Sequence, residues 1–365
     1  MMIVSVLSFF VLVILGHYFS WHLSLAACPR LKMKKYWLLA IYIAITIIFL
    51  GSFIYLHQSN SQIFSYIYVS SAVLFGLLSQ LMLLGTLYYL LRFISLPLSR
   101  FREFYKKYSV LLAQVFTLLA LGLFILGTYN AFFPHVKNID LDNWPGELKG
   151  KSIVQLSDLH LGAVYRPNYL SRIVEQVNAL NPDVIIISGD LFDGSDESLP
   201  EFIEPLSKFS APAVFVPGNH DAYVMDDEVK RTVVASGLIN LSDSAMLVDG
   251  IEIIGFKYSG REDSGQRRVI DNLNQVDGLA AIVVNHVPVD QAEARALGAD
   301  LMLSGHTHRG QIFPFSIVIN LLYGRFAYGL EDYEGMSVYT SAGTGTWGPP
   351  LRTLFPGEII KFNLQ

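Results

Sequence analysis

The sequence predicts two parts: four transmembrane α-helices, then a soluble α/β domain of two stacked mixed β-sheets flanked by helices. Three observations predict it. Charge is segregated, since residues 1–134 carry nine Lys or Arg and a single acid, a net +8, whereas the rest carries 17 basic and 30 acidic residues, a net −13. Residues 1–29, 36–91 and 108–136 hold no Asp, Glu, Lys or Arg at all. Beyond residue 150, short apolar runs ending in turn residues alternate with helical patterns. Two different solvents are implied.

A helix needs roughly 20 apolar residues to cross about 30 Å of hydrocarbon. The first and third uncharged stretches each fit one span, and the middle one fits two, broken at the polar turn His57–Gln62. No cleavable leader is expected, because the first stretch lacks a basic start and further apolar spans follow. The loop PRLKMKK (Arg30, Lys32, Lys34, Lys35) and the loop Arg92–Lys107 carry the positive charge, whereas the turn between spans two and three carries none. Positive loops stay in the cytoplasm, so the chain reads as an integral membrane protein with its soluble domain extracytoplasmic. His17 and His22 lie in the first span without a carboxylate partner in any span, which favours packing over a proton path. By the same lack of intramembrane charge, the spans read as an anchor and not as a transporter or sensor.

The organisation expected is a membrane region over 1–134, a linker over 135–150 with its hinge in NIDLDNWPGELKG, and the soluble domain over 151–365. Eight runs read as strands: SIVQLSD, DVIIISGD, AVFVPGNHD, EIIGF, AAIVVNH, DLMLSGH, MSVYTSAG and EIIKFNL. Apolar residues at 170, 173, 174, 177 and 180 give Pro167–Leu180 a helical period, and helical patterning recurs near DDEVKRTVVAS and VDQAEARALG. Near-continuous apolar strands call for a sheet covered on both faces. Several strand pairs lack a long helical crossover, which favours two stacked mixed sheets.

Polar residues gather just beyond the strand ends. SDLH supplies Asp158 and His160, SGDLFD supplies Asp190 and Asp193, and PGNHD supplies Asn219, His220 and Asp221. VVNH adds His286, and SGHTH adds His306 and His308, two positions apart and so on one side of an extended segment. Strand C-termini line the ligand crevice of α/β sheets, so five ends deliver their side chains to one place. Imidazole and carboxylate hold divalent cations such as Mn, Fe, Zn or Ni. Cys28 is the only cysteine, which excludes a thiolate site and an intramolecular disulfide. Seven N/O ligands exceed a closed structural zinc site and suit two ions about 3.5–4 Å apart. Asp190 is the natural bridging carboxylate. Gly189, Gly218 and Gly305 precede Asp190, Asn219 and His306, where the chain must turn and approach an ion closely.

The ordered set DxH, GDxxD, GNHD, a lone His and GHxH resembles the calcineurin-like metallophosphoesterase superfamily over roughly residues 150–365. The tail, GHTHRGQIFPF followed by SAGTGTWGPPLR, resembles the branch of YkuE- and YaeI-type phosphodiesterases. It also resembles the related UDP-2,3-diacylglucosamine hydrolase of lipid A synthesis and a transmembrane variant. The resemblance implies that Asp158, His160, Asp190 and His308 hold the first ion, and that Asp190 bridges to a second completed by Asn219, His286 and His306. It further implies that His220 steadies the phosphoryl group or protonates the leaving oxygen, that Asp221 orients His220, and that Asp193 stands behind the ligands. Arg309 departs from the branch, which often has glycine there.

The leading expectation is a membrane-anchored dinuclear phosphoesterase, acting on a phosphomonoester, phosphodiester or diphosphate of a lipid-linked substrate by attack of a metal-bridging hydroxide. A cytoplasmic domain would instead favour UDP-2,3-diacylglucosamine hydrolysis. A non-catalytic scaffold of the same fold is the second class, disfavoured because every motif block is intact. The acidic soluble half argues against gripping a nucleic-acid backbone.

Overall fold

The computed structural model describes residues 2–56, 62–142, 144–193, 199–224, 227–258, 270–273 and 279–365. The chain divides into two compact units, Met1–Tyr129 with Gly348–Leu351, and Asn130–Trp347 with Arg352–Gln365.

The first unit holds four helices: α1 (Met2–Ala27), α2 (Lys35–Leu56), α3 (Gln62–Ser95) and α4 (Ser99–Phe132). Among the described residues, three helical segments are long and apolar enough to cross a membrane: Pro29–Tyr55, Gln62–Ser95 and Ser99–Phe132. The fourth expected span coincides with α1, and the side chains of its first residues lie outside the described ones. Of the expected turn His57–Gln62, residues 57–61 also lie outside them. Small residues bring the helices together, as apolar solvent demands of helix interfaces. A Cβ on Gly85 of α3 would stand 2.7 Å from the Phe19 carbonyl oxygen of α1. His17 is buried and its Nε2 lies 3.0 Å from Thr46 Oγ1 of α2, an interhelical pair consistent with a packing role.

The second unit is a sandwich of two six-stranded sheets. The first contains β1 (His135–Leu141), β2 (Ser152–Leu156), β3 (Val184–Ile187), β4 (Ala213–Phe215), β5 (Leu238–Asn240) and β12 (Glu358–Leu364). Their spatial order is β1-β12-β2-β3-β4-β5, parallel except between β12 and β2. The second contains β6 (Ser244–Val248), β7 (Ile251–Phe256), β8 (Ala281–Asn285), β9 (Leu301–Ser304), β10 (Gly329–Tyr333) and β11 (Met336–Thr340). Their order is β10-β11-β9-β8-β7-β6, with antiparallel pairs at both edges. Two mixed sheets are what the apolar runs called for.

Period-two alternation distributes the side chains. In β3, Val184 and Ile186 join the layer between the sheets, whereas Ile185 and Ile187 face the outer layer with α5 (Pro167–Ala179). In β9, Leu301 and Leu303 point inward, whereas Met302 packs outward with Ala294 of α9 (Gln291–Ala296). Helices α6 (Leu199–Ile203), α7 (Asn219–Val224) and α8 (Asp227–Ala235) complete the first side. Strands such as β3 and β9 are therefore buried on both faces, which explains runs such as VIII that carry no polar residue.

Residues 135–150, expected as a linker, contain β1, which pairs in parallel with β12 from His135↔Glu358 to Leu141↔Leu364. Its alternation of exposed and half-buried positions suits an edge strand, and the polar residues in HVKNIDL masked it. Truncating one inward side chain tests the sandwich: Ile186→Ala should destabilise the soluble unit by about 2–5 kcal/mol. A lowered apparent Tm in a thermal scan of the purified full chain would register this, with α-helical content unchanged.

Candidate metal centre

The candidate blocks lie just beyond strand ends, and three of them, at Asp158–His160, Asp190 and His306–His308, turn through strained backbone. Five of the seven candidate ligands hold positive φ: Asp158 (52°), His160 (47°), Asp190 (52°), His306 (67°) and His308 (48°). Non-glycine residues in this region each cost on the order of 1 kcal/mol or more, and they persist where surrounding bonds over-determine them. Here the bonds are backbone cross-ties. Asp158 N–H donates to the Gly189 carbonyl (2.9 Å), and His160 N–H donates to the Asp190 carbonyl (3.0 Å). The His306 N–H reaches the Asp158 carboxylate at 3.1 and 3.2 Å.

The side chains converge as three groups: His160, Asp193 and His220 form one, with atoms within 4.8 Å of one another, and two more share no residue with each other. Asp158, His160 and His308 offer atoms all within 4.8 Å of one another, and so do Asp190, His286 and His306. Asn219 adds its Oδ1, 2.8 Å from His306 Nδ1. His160 Nε2 faces His308 Nε2 at 3.1 Å, and His308 Nε2 lies 3.3 Å from Asp158 Oδ1. His286 Nε2 lies 3.1 Å from Asp190 Oδ2, and His160 Nε2 lies 3.7 Å from the same oxygen, so Asp190 faces both groups. Two ligands bonded at about 2.1 Å to one ion stand about 3.0–3.4 Å apart. The spacing, the donor types and the burial of the carboxylates all fit divalent cations.

The histidines are oriented from behind. His286 Nδ1 lies 2.8 Å from the Ser188 carbonyl, which can only accept, so Nδ1 carries a proton and Nε2 faces inward. His160 Nδ1 lies 3.4 Å from Asp193 Oδ1, so Asp193 meets the ring on the side away from His308. His306 and His308 do not share the extended segment that their spacing suggested. β9 ends at Ser304, and the two imidazoles leave a tight turn to join different groups.

Charge divides the groups sharply. Burial pushes the Asp158 carboxyl up, reinforced by the neighbouring Asp190, although His286 opposes. Burial also acts upward on Asp190, but the His286 and His160 imidazoles outweigh it and hold that carboxyl low. For His286 burial acts downward, and the Asp190 and Asp158 charges overcome it, raising the ring to about 10. His160 likewise ends raised, burial being overcome by Asp193 and Asp190. Burial and the positive His286 depress His306 to about 3, and burial with His160 depresses His308 well below the usual range. The His286 and His160 imidazoles and the buried carboxylates thus favour each other's charged forms, a role that metal ions fill with more charge in less space.

His220 sits at the edge of the cluster, its ring edge-on to His160 at 4.8 Å and to Trp347 at 5.9 Å. Its backbone N–H donates to Asp190 Oδ1 at 2.8 Å. Burial and the His160 charge depress its ring to about 4, so it is neutral at physiological pH and offers an N–H donor. Asp221, expected to orient His220, gives its oxygens to backbone amides: Oδ1 accepts from Phe192 N–H (3.0 Å) and Oδ2 from Gly218 N–H (2.8 Å). It braces the Asp190 turn against the Asn219 turn. Burial, then the Asp190 charge, raises its carboxyl to about 6.

Sequence reasoning missed two supports. Ser157 Oγ donates to Asp158 Oδ2 at 2.5 Å, fixing the carboxylate from beside it. Arg352 is fully buried, and its Nη2 donates to the carbonyls of Ala342 (2.6 Å), Gly343 (3.1 Å) and Gly345 (2.6 Å), holding the loop behind Asp158 and His308. The motif SAGTGTWGPPLR contained it, but an arginine that serves backbone carbonyls leaves no charge pattern to read.

A family model for calcineurin-like phosphoesterases matches residues 151–310, a span that contains every residue of both groups. A metallophosphoesterase of Campylobacter jejuni is 32% identical over 287 residues, covering 75% of this chain and 76% of that one. The chain belongs to the calcineurin-like metallophosphoesterases. Metal-dependent phosphoester hydrolysis is the chemistry of this family, and divalent ions serve it. A transmembrane protein with metallophosphoesterase domain from Danio rerio is 33% identical over 247 residues, 62% of this chain and 56% of the relative. The metallophosphoesterase YkuE of Bacillus subtilis is 30% identical over 234 residues, 60% of this chain and 81% of the relative. Three apolar helices and the transmembrane relatives associate this metallophosphoesterase with a membrane.

The glycines separate site from scaffold. Gly189 has φ +94°, and a Cβ there would fall on the His286 ring, whereas Gly237 (φ +89°) has open space around it. Gly189→Ala should abolish tight metal uptake, and Gly237→Ala should leave uptake intact while costing on the order of 1 kcal/mol in stability. Metal content after desalting, measured by plasma mass spectrometry, distinguishes the two.

Proposed function

We propose that the chain is a membrane-anchored phosphoesterase that holds two divalent cations and cleaves a phosphate ester or diphosphate of a lipid-linked substrate. The observation that carries the reading is the pair of three-residue groups meeting at Asp190. In this reading Asp158, His160 and His308 hold one ion, Asn219, His286 and His306 hold the other, and Asp190 serves both. Bound there, the ions supply Lewis acidity toward phosphoryl oxygens and acidify water as the nucleophile.

The protein groups contribute positioning. The neutral His220 imidazole is placed to donate a hydrogen bond to a phosphoryl oxygen as negative charge grows on it, a task a donor performs without first losing water. Asp221 acts through the backbone, keeping the His220 and Asp190 turns in register. The Ser188 carbonyl orients His286 through Nδ1, and Asp193 stands 3.4 Å from His160 Nδ1, with Nε2 of both rings facing inward. Mn, Fe, Zn and Ni all suit this N/O donor set.

Four spans, with α1 as the first, carry the domain in this reading. The basic loops at Arg30–Lys35 and Arg92–Lys107 favour the extracytoplasmic face for it. That side favours a lipid phosphate or diphosphate. A cytoplasmic domain would favour a UDP-diacylglucosamine-type substrate.

Asp190→Asn should remove the ability to hold both ions and leave hydrolysis of bis-p-nitrophenyl phosphate at background, with the fold intact by circular dichroism. His220→Gln should keep metal content and lower kcat by roughly 10²–10³-fold. An inert wild-type protein with full metal content would favour the scaffold reading instead. For topology, an alkaline phosphatase fused after Gln365 should be active, since that reporter folds only outside the cytoplasm. Activity from a cytoplasmic reporter at the same position alone would remove the external placement.

A further inference from the structure

Helix α10 (Phe315–Tyr323, FSIVINLLY) follows the last motif block directly, carries no charged side chain and buries none of its residues. Phe315, Ile317, Val318 and Leu322 are about half exposed, and Leu321 is 81% exposed. Contiguous exposed apolar surface of this kind marks an interaction site in a protein otherwise dissolved in water. The helix is nevertheless fastened to the metal centre at its base. A Cβ on Gly310 would fall on the Ser316 backbone, Thr307 Oγ1 donates to the Ala327 carbonyl at 2.9 Å, and the Tyr323 ring packs edge-on to His306 at 6.1 Å. Gln311 ties the same segment to Trp347 through two bonds, Nε2 to the Trp347 carbonyl (3.0 Å) and Trp347 N–H to Oε1 (3.1 Å). Trp347 in turn is 44% exposed and packs on His220.

Two further observations select the occupant. The domain that carries α10 begins at once after a candidate span, because α4 ends at Phe132 and β1 starts at His135. Three residue steps reach at most about 10 Å, so the start of β1 is tethered within that reach of the end of the span. Charge agrees. Residues 301–330 contain no Asp or Glu, and contain Arg309 and Arg325, within a part of the chain whose net charge is −13. An apolar helix with basic flanks and an aromatic rim fits the headgroup–acyl boundary of a bilayer.

We infer that α10 is an interfacial helix that seats in the lipid bilayer and sets the mouth of the metal centre at headgroup depth. The inference rests on the membrane reading and deepens the proposed substrate class, since a lipid phosphate would meet the site without leaving its leaflet. The test places a fluorophore at Leu321→Cys, in a Cys28→Ser background, on the full chain in nanodiscs of phosphatidylcholine with phosphatidylglycerol. Emission from Leu321→Cys should be largely lost when the acyl chains are brominated, and it should resist aqueous iodide. The same probe at Lys208→Cys, on an exposed surface residue, should show the reverse. Iodide access at Leu321→Cys without lipid quenching overturns the inference, as does cross-linking of two chains at Leu321→Cys without lipid quenching. Hydrolysis of bis-p-nitrophenyl phosphate by the same samples keeps the readings apart, because an inert protein with a lipid-quenched probe would sink the enzymatic reading alone.

Discussion

Two buried carboxylates held close together organise the soluble unit. Asp158 and Asp190 raise each other's electrostatic cost, and neither is exposed to water that could screen it. Histidines from separate turns offset that cost in part, with Nε2 of His160, His286 and His308 turned toward the carboxylates. Because the motif blocks come from separate strand ends, the arrangement exists only when both sheets are assembled. The sandwich is thus a device for bringing residues separated by some 150 chain positions into one buried cluster.

The backbone makes the same point from another side. Left-handed conformations at five candidate ligands would unravel in isolation, and the hydrogen bonds that retain them run from one turn to the next. Asp221 and Arg352 belong to this framework. One braces turns through amides, the other through carbonyls, and together they saturate backbone groups that would otherwise be buried without partners. Chemistry and fold are therefore hard to separate here: the groups nearest the centre are also what keeps the loops closed.

Much of this was legible in the chain. Runs such as DVIIISGD name a buried strand and the turn after it in eight letters, and all five motif blocks stand where the strands end. The edge strands were not legible, since β5 has three residues and β1 mixes lysine, asparagine and aspartate with its apolar positions. The spacing of His306 and His308 suggested a shared face, but the chain leaves the sheet at Ser304 and sends them apart. Ser157 and Arg352 escaped notice because their partners are a neighbouring carboxylate and distant carbonyls, neither of which leaves a periodic trace. Asp221 read as a partner of the adjacent imidazole, whereas its bonds run to main-chain amides on either side.

The pairing of β12 with both β1 and β2 has a consequence for biogenesis. On the ribosome β1 and β2 emerge long before β12, with a vacant lane between them. That lane is filled only when Glu358–Leu364 has been synthesised, and Glu358 also brings the carboxylate that receives the Tyr339 hydroxyl and the Ala342 amide. Nascent chains must therefore be kept from pairing this open edge with one another until Glu358–Leu364 has been made, which makes that interval the period of greatest exposure to aggregation.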